Sequence, residues 1–254
     1  MISIKSDREI ELMRHAGKVN IATIKEIEKH LKPGITTKSL DKIAHDFIIK
    51  NDCTPSCLGY EGYPASVCIS VNDEVVHGIP GSRIIKNGDI VSVDLVVCYK
   101  GYHADATRTF IVGEVSNDVK ALVENTKKAF YEGLAQVKNG VRVKEISRAI
   151  ESYAHQNNLG VVEELVGHGI GSEMHEEPDI PNFDTNSNIR LKTGMVIAIE
   201  PMLTLGSKEI YMDEFDGWTI RTIDGLPAAH FENTVLVTDD GYEILTGEWL
   251  NGKK

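Results

Sequence analysis

The chain lacks any apolar run near the ~20 residues that span a bilayer; its longest, such as Ile90 to Cys98, fall well short. No transmembrane helix is expected. The N-terminus, Met1-Ile-Ser-Ile-Lys-Ser-Asp-Arg-Glu9, has no apolar segment followed by a small-residue cleavage site. No secretory signal is therefore expected, and the cytoplasm is the expected location. Cysteine is scarce: Cys53, Cys57, Cys68 and Cys98 lie in one half without CxxC spacing, which argues against a structural zinc site and against a disulfide framework. An excess of basic charge is also missing. The net charge of −11 repels phosphate backbones and anionic lipid heads, so neither nucleic acid nor membrane is expected as the main partner. What is present, 41% apolar and 26% charged residues over 254 positions, suits an ordinary soluble protein with a sizeable core.

Ser6-Asp-Arg-Glu9 reads as a capping box, which predicts a helix start. Ile10, Met13, Ala16, Ile24, Ile27 and Leu31 recur near helical spacing until Lys32-Pro33-Gly34, and Leu40, Ile43, Ala44, Phe47 and Ile48 mark a second helix. The plan then returns. Ser116 precedes a third helix carrying Val119, Leu122, Val123, Phe130, Leu134 and Val137, stopped at Asn139-Gly140, and Ile146, Ala149, Ile150 and Tyr153 mark a fourth. A shift of 106 places Lys32, Gly34 and Leu40 on Lys138, Gly140 and Ile146, and Lys86, Gly88, Val93 and Asp94 on Lys192, Gly194, Ile199 and Glu200. This predicts one domain, 1–254, made of two similar halves, approximately 1–113 and 114–254, packed about an approximate two-fold axis.

Asp89 to Cys98 and Gly101 to Val112 read as a β-hairpin. With Tyr99 and Lys100 as the turn, Asp94 pairs directly with Asp105; a slip of two residues leaves them diagonal on one face. Facing carboxylates repel, and a cation removes that penalty. Glu200, and Glu232 within Ala229 to Thr238, supply a second pair. Asp105 and Glu232 differ by 127, which predicts an insertion of about 21 residues in the second half, with Trp218 inside it. His168, in Gly167-His168-Gly169-Ile170-Gly171, is set to complete a coordination sphere, its glycines letting backbone approach a ligand closely. An oxygen-dominated set with one nitrogen fits manganese, iron(II) or cobalt better than a structural zinc. Two such ions activate water for hydrolysis.

At these residues the sequence resembles the type I methionine aminopeptidases, over essentially the whole chain. The resemblance rests on Ser70-Val-Asn-Asp-Glu-Val-Val-His77-Gly-Ile-Pro, Val93-Asp94 with Asp105-Ala-Thr-Arg-Thr-Phe, Gly167-His168-Gly-Ile-Gly, His175-Glu-Glu-Pro178, Ile199-Glu200-Pro201 and Phe231-Glu232-Asn-Thr. It implies an α+β pita-bread fold: two pseudo-symmetric halves whose curved, mainly antiparallel sheet is covered by two helix pairs. It also implies removal of the initiator methionine from nascent polypeptides when the second residue is small. The cofactor implied is two divalent ions, of cobalt, manganese, iron(II) or zinc. Asp94, Asp105, His168, Glu200 and Glu232 would be the ligands, with Asp105 and Glu232 bridging. His175 would hydrogen-bond the scissile carbonyl, His77 would contact the departing amide nitrogen, and Glu200 would also handle the proton of the attacking water. Cys57, Tyr60, Tyr63, Cys68, Met174 and Trp218 match the methionine pocket, where sulfur and aromatic faces suit a thioether.

Three residues depart from that pattern. Met174 stands where an aromatic residue is usual, His230 where glutamine is common, and Glu74 in a segment that helps form a monovalent-cation site in relatives; no such ion is assigned here. The expected partners are nascent N-termini beginning with Met, with a transient ribosome contact and otherwise a monomer. Lys253, Lys254 and the helix-borne lysines read as solvated charge. A proline-peptidase relative would need an extra N-terminal domain, for which a first helix starting at residue 6 leaves no room. A non-catalytic binding module would have lost the ligands, and a two-metal nuclease or phosphatase would want a basic surface.

Overall fold

The structure is a computed structural model that describes residues 2–247, so Lys253 and Lys254 lie outside the described residues. Helix α1 (Asp7–His30) starts at the predicted capping box, where the Ser6 N–H donates to Glu9 Oε2 at 2.7 Å. Helices α2 (Thr37–Lys50), α3 (Asn117–Leu134) and α4 (Val143–Gln156) follow. Thr36 and Ser116 cap α2 and α3 by accepting from Ser39 N and Val119 N. These hydroxyls satisfy N–H groups that the first turn of a helix leaves without partners. The α4 start has no side-chain cap and relies on burial of Val143, Ile146 and Ile150. No helix among the described residues is long and apolar enough to cross a membrane.

The strands that matter to the site are β1 (Cys68–Val71), β2 (Ile90–Tyr99), β3 (Tyr102–Ile111), β4 (Gly167–Gly169), β5 (Glu176–Ile180), β6 (Val196–Ile199) and β7 (Asn233–Val237). β2 lies between β1 and β3, and β6 lies between β4 and β7, all antiparallel. One core packs α1 and α2 against β1 to β3; another packs α3 and α4 against β6 and β7. The main chain repeats itself between them. Gly34 N donates to Ile85 O at 2.9 Å and Ile85 N to Ile35 O at 2.8 Å, and residues 106 later Gly140 N donates to Leu191 O at 2.9 Å and Leu191 N to Val141 O at 2.8 Å. The isolated bridges Thr36↔Ile84 and Arg142↔Arg190 obey the same shift.

Two registers differ from the tightest reading of the sequence. Tyr99 pairs with Tyr102, so the turn is Lys100-Gly101, and Asp94 opposes Thr107 while Asp105 opposes Val96. The carboxylates are therefore diagonal. The cause is conformational: both turn residues have positive φ, 49° at Lys100 and 84° at Gly101. A two-residue turn of this hand favours glycine, and a turn at Tyr99-Lys100 would force Tyr99 into the left-handed region.

The second correction concerns the halves. Gly88 N donates to Val112 O and Gly194 N to Val237 O, so β7 follows β3 at an offset of 125, and the extra segment is about 19 residues and not 21. That offset relates Thr107 to Glu232, and Asp105 to His230. Side chains across the axis agree. Thr234 Oγ1 accepts from Asp105 N at 2.8 Å and donates to Asp105 O at 2.9 Å; Thr109 Oγ1 accepts from His230 N at 2.9 Å and donates to His230 O at 2.8 Å. Between these clamps Thr107 Oγ1 donates to Glu232 Oε2 at 2.8 Å. The extra segment carries the strands Ile210–Met212 and Ile220–Thr222, with Trp218 between them.

Thr234 is fully buried, so Thr234→Val keeps its shape while leaving Asp105 N and O unpaired. The expected loss is about 1–3 kcal/mol in urea unfolding with an unchanged m-value. An unchanged midpoint would show that the clamp contributes nothing.

Candidate metal and peptide site

The carboxylates converge where the two halves meet. Asp94 and Asp105 come from β2 and β3, His168 from β4, Glu200 from the end of β6, and Glu232 from the approach to β7. All five line one cleft of about 240 Å³, together with His77, His175 and His230. One oxygen or nitrogen from each of Asp105, His168 and Glu232 lies within 4.8 Å of the others, and all three residues are buried. His168 Nε2 stands 3.4 Å from Glu200 Oε1 and 3.9 Å from Asp105 Oδ2. Asp94 opposes Cys68 of β1 on one side and Thr107 on the other.

The glycines around His168 serve a purpose other than approach to a ligand. A Cβ on Gly167 would sit 2.4 Å from Ala198 O, and one on Gly169 would sit 2.3 Å from Glu177 O. They let β4 lie close against its neighbours, which aims the imidazole into the cleft. His168 Nδ1 lies 2.8 Å from Gly169 O. Since a carbonyl only accepts, Nδ1 carries the proton, and the Nε2 lone pair faces the carboxylates.

Burial and mutual repulsion set the charge of this cluster. Burial pushes the Asp94 carboxyl up to about 6. Asp105 and Glu200 are held well above the usual carboxylate range, first by burial and then by Glu232 and Asp94. Glu232 is raised by burial and then by Asp94. Burial lowers His168 to about 4, so its ring is neutral near pH 7. Asp105 Oδ1 and Glu232 Oε1 are buried and have no hydrogen-bond partner among the described residues. Unpaired buried acceptors are unfavourable, and a divalent cation answers them both. A set of four carboxylates and one imidazole therefore fits a divalent metal, with oxygen donors dominant.

Beside Asp94, which opposes Cys68, lies a packed apolar cluster. Cys57, Tyr63, Cys68 and Met174 are buried in one cluster, with Trp218 packed against it. The Tyr63 and Trp218 rings meet edge to face at 5.1 Å. Tyr60 is not among them: it is 38% exposed, and its hydroxyl lies 3.0 Å from His175 Nδ1. His175 is exposed at the mouth, 4.4 Å ring to ring from His168, yet surrounding protein desolvates it enough to lower its pKa. His77 adopts φ 59°, a strained conformation for a non-glycine residue, and burial lowers it to about 4.

Several contributors escaped the sequence reading. Lys5 Nζ donates to Glu176 Oε2 at 2.7 Å in a nearly buried ion pair beside His175. Asn182 Nδ2 donates to Glu200 O at 3.1 Å. Thr107 and Thr234 had a visible signal, the matched spacings Asp105-x-Thr107 and Glu232-x-Thr234. Glu74 is occupied structurally: its carboxylate accepts from Val71 N at 2.7 Å and pairs with Arg83 and Arg221.

A sequence profile of metallopeptidase family M24 matches residues 11–239. Methionine aminopeptidase 1 of Bacillus subtilis is 48% identical over 247 residues, which cover 97% of this chain and 99% of that protein. The crystal structure of methionine aminopeptidase from Rickettsia prowazekii superimposes with a TM-score of 0.95 at 40% identity, covering 97% of this chain and 100% of that one. Prolidase from Pyrococcus furiosus shares the fold at a TM-score of 0.77 and 24% identity; the match covers 96% of this chain and 65% of that one. The α+β pita-bread fold, the cleft suited to a divalent cation and these full-length matches agree, and the chain belongs to metallopeptidase family M24, among its methionine aminopeptidases.

Proposed function

We propose that this protein removes the N-terminal methionine of nascent polypeptides when the second residue is small, using water activated by two divalent cations. The observation that carries the reading is the cluster of Asp105, His168 and Glu232, two of them with buried oxygens unpaired among the described residues, set beside a buried cluster of sulfur-bearing and aromatic side chains. Asp94, Asp105, His168, Glu200 and Glu232 would hold the ions. When bound, such a pair lowers the pKa of water and polarises a carbonyl.

The chain's own groups do the remaining work. The cluster of Cys57, Tyr63, Cys68, Met174 and Trp218 takes the methionine side chain, where polarizable sulfur meets aromatic faces. Glu200, a carboxylate lining the cleft, accepts the proton of the attacking water. His77 faces the departing amide nitrogen. His175 donates to the carbonyl oxygen as charge develops there. Residues 1–254 form one domain in this reading, and it acts as a cytoplasmic monomer that meets the ribosome transiently.

Tyr60 gives His175 its tautomer. With the phenol donating to Nδ1, Nε2 keeps its hydrogen and presents it to the substrate. Tyr60→Phe is expected to lower kcat about tenfold with little change in KM or cobalt affinity. Full activity of that variant would sever Tyr60 from the mechanism.

The decisive assay loads metal-free protein anaerobically with manganese, iron(II), cobalt or zinc and follows methionine release from Met-Ala and Met-Lys peptides. Metal-dependent release is expected, roughly a hundredfold faster from Met-Ala. Absence of metal-dependent release would refute the activity, and equal rates on both peptides would refute the small-residue rule.

A further inference from the structure

His230 lines the cleft with 2% exposure, and among the described residues neither of its ring nitrogens has a hydrogen-bond partner. A neutral imidazole has one donor and one acceptor, and burying both unpaired is unfavourable unless something takes the lone pair. Its main chain is held on both sides by Thr109, just as that of Asp105 is held by Thr234. By the offset of 125, His230 is the two-fold counterpart of Asp105. The fold thus presents this imidazole to the cleft from the place where the other half presents a carboxylate.

Glu200 stands between two imidazoles. Its Oε1 is 3.4 Å from His168 Nε2, and its Oε2 is 3.8 Å from His230 Nε2. Both separations exceed the usual N–H···O bond. They match two donors on one cation: atoms each about 2.1 Å from a common ion lie roughly 3–4 Å apart.

We infer that His230 Nε2 is a second nitrogen ligand, binding a divalent cation that it shares with Glu200. The inference rests on the metal-dependent reading above. It changes the chemistry of the centre, because imidazole favours iron(II), cobalt and zinc over manganese, which prefers oxygen. A histidine that only filled space would leave metal binding untouched when replaced by glutamine.

The test uses the full-length protein, stripped with chelator and titrated anaerobically with Co(II) alone. Paramagnetic proton NMR then counts the hyperfine-shifted ring N–H signals of ligating imidazoles. Two are expected in the unaltered protein and one in either His230→Gln or His168→Gln. His230→Gln should weaken Co(II) binding about tenfold and Mn(II) binding by less than about threefold. A single signal in the unaltered protein, two signals persisting in His230→Gln, or equal losses for both metals would overturn the assignment. The count on the unaltered protein decides the matter even if a variant does not fold. Tight Co(II) binding through one imidazole overturns this ligand alone, whereas no Co(II) binding overturns the metal reading with it.

Discussion

Asp105→Asn is expected to weaken divalent-metal binding at least about a hundredfold and to cut turnover by more than about a thousandfold. The side chain sits at the centre of the cluster, with Oδ2 3.9 Å from His168 Nε2 and Oδ1 buried and unpaired. An amide of the same shape offers one neutral oxygen where two charged ones stood, and it aims N–H groups at a space suited to a cation. The backbone is held through Thr234, so the fold should survive. Metal-free stability separates this from simple damage. Asp94 at about 6, and Asp105, Glu200 and Glu232 well above the usual range, bind protons more tightly folded than unfolded. Their contribution is fully present below the unfolded value, ~4, and is lost as pH rises through 6 and beyond.

His77 and His168, lowered to about 4, act in the opposite sense: their contribution is lost as pH falls from about 6.5 towards 4. Comparing Asp105→Asn with the unaltered protein cancels those histidines. In chelator, the variant should therefore gain stability relative to the unaltered protein as pH rises from 5 to about 8. Urea unfolding across that range, with calorimetric metal titrations beside it, measures both effects. Metal affinity retained within threefold would exclude Asp105 as a ligand, and a flat stability difference would show that repulsion in the cluster is negligible.

Much of this site was legible because duplication leaves a local record. Gly34 and Gly140 stand 106 apart because each makes the same turn, and Asp94 and Glu200 because each follows a mainly apolar four-residue run, although β2 continues past Asp94 while β6 stops before Glu200. The second carboxylates were harder to align. Asp105 and Glu232 look equivalent by chemistry, yet the ladder puts Glu232 with Thr107, because Asn233 opposes Ile199 as Arg108 opposes Val93. Hydrophobic alternation has a period of two and could not separate offsets of 125 and 127; backbone hydrogen bonds do. The glycines beside His168 were visible, but their cause was not. Whether a glycine admits a ligand or a neighbouring strand depends on residues brought close only by the fold, Ala198 against Gly167 and Glu177 against Gly169. The Lys5–Glu176 pair, 171 residues apart, had no local signature at all.

His175→Ala is expected to lower kcat/KM by about a hundredfold to a thousandfold while leaving metal binding intact, the scale on which a single oxyanion donor acts. The ring touches His168 edge to face at 4.4 Å but belongs to the mouth of the cleft, outside the cluster of Asp105, His168 and Glu232. Its Nδ1 lies 3.0 Å from the Tyr60 hydroxyl, and in the proposed tautomer Nε2–H is the donor offered to the substrate. Burial lowers its pKa, so near pH 7 it is a neutral donor that adds no positive charge beside bound cations. A donor of this kind acts on developing charge, so the loss should fall mainly on kcat. Lys5 and Glu176 hold the segment on which His175 sits, and a substitution that only loosened that segment would raise KM as well. Steady-state kinetics on Met-Ala-containing peptides with metal held saturating separates the two. Undiminished kcat in His175→Ala would remove His175 from the chemistry, and a parallel loss of metal would make it a structural support of His168 instead.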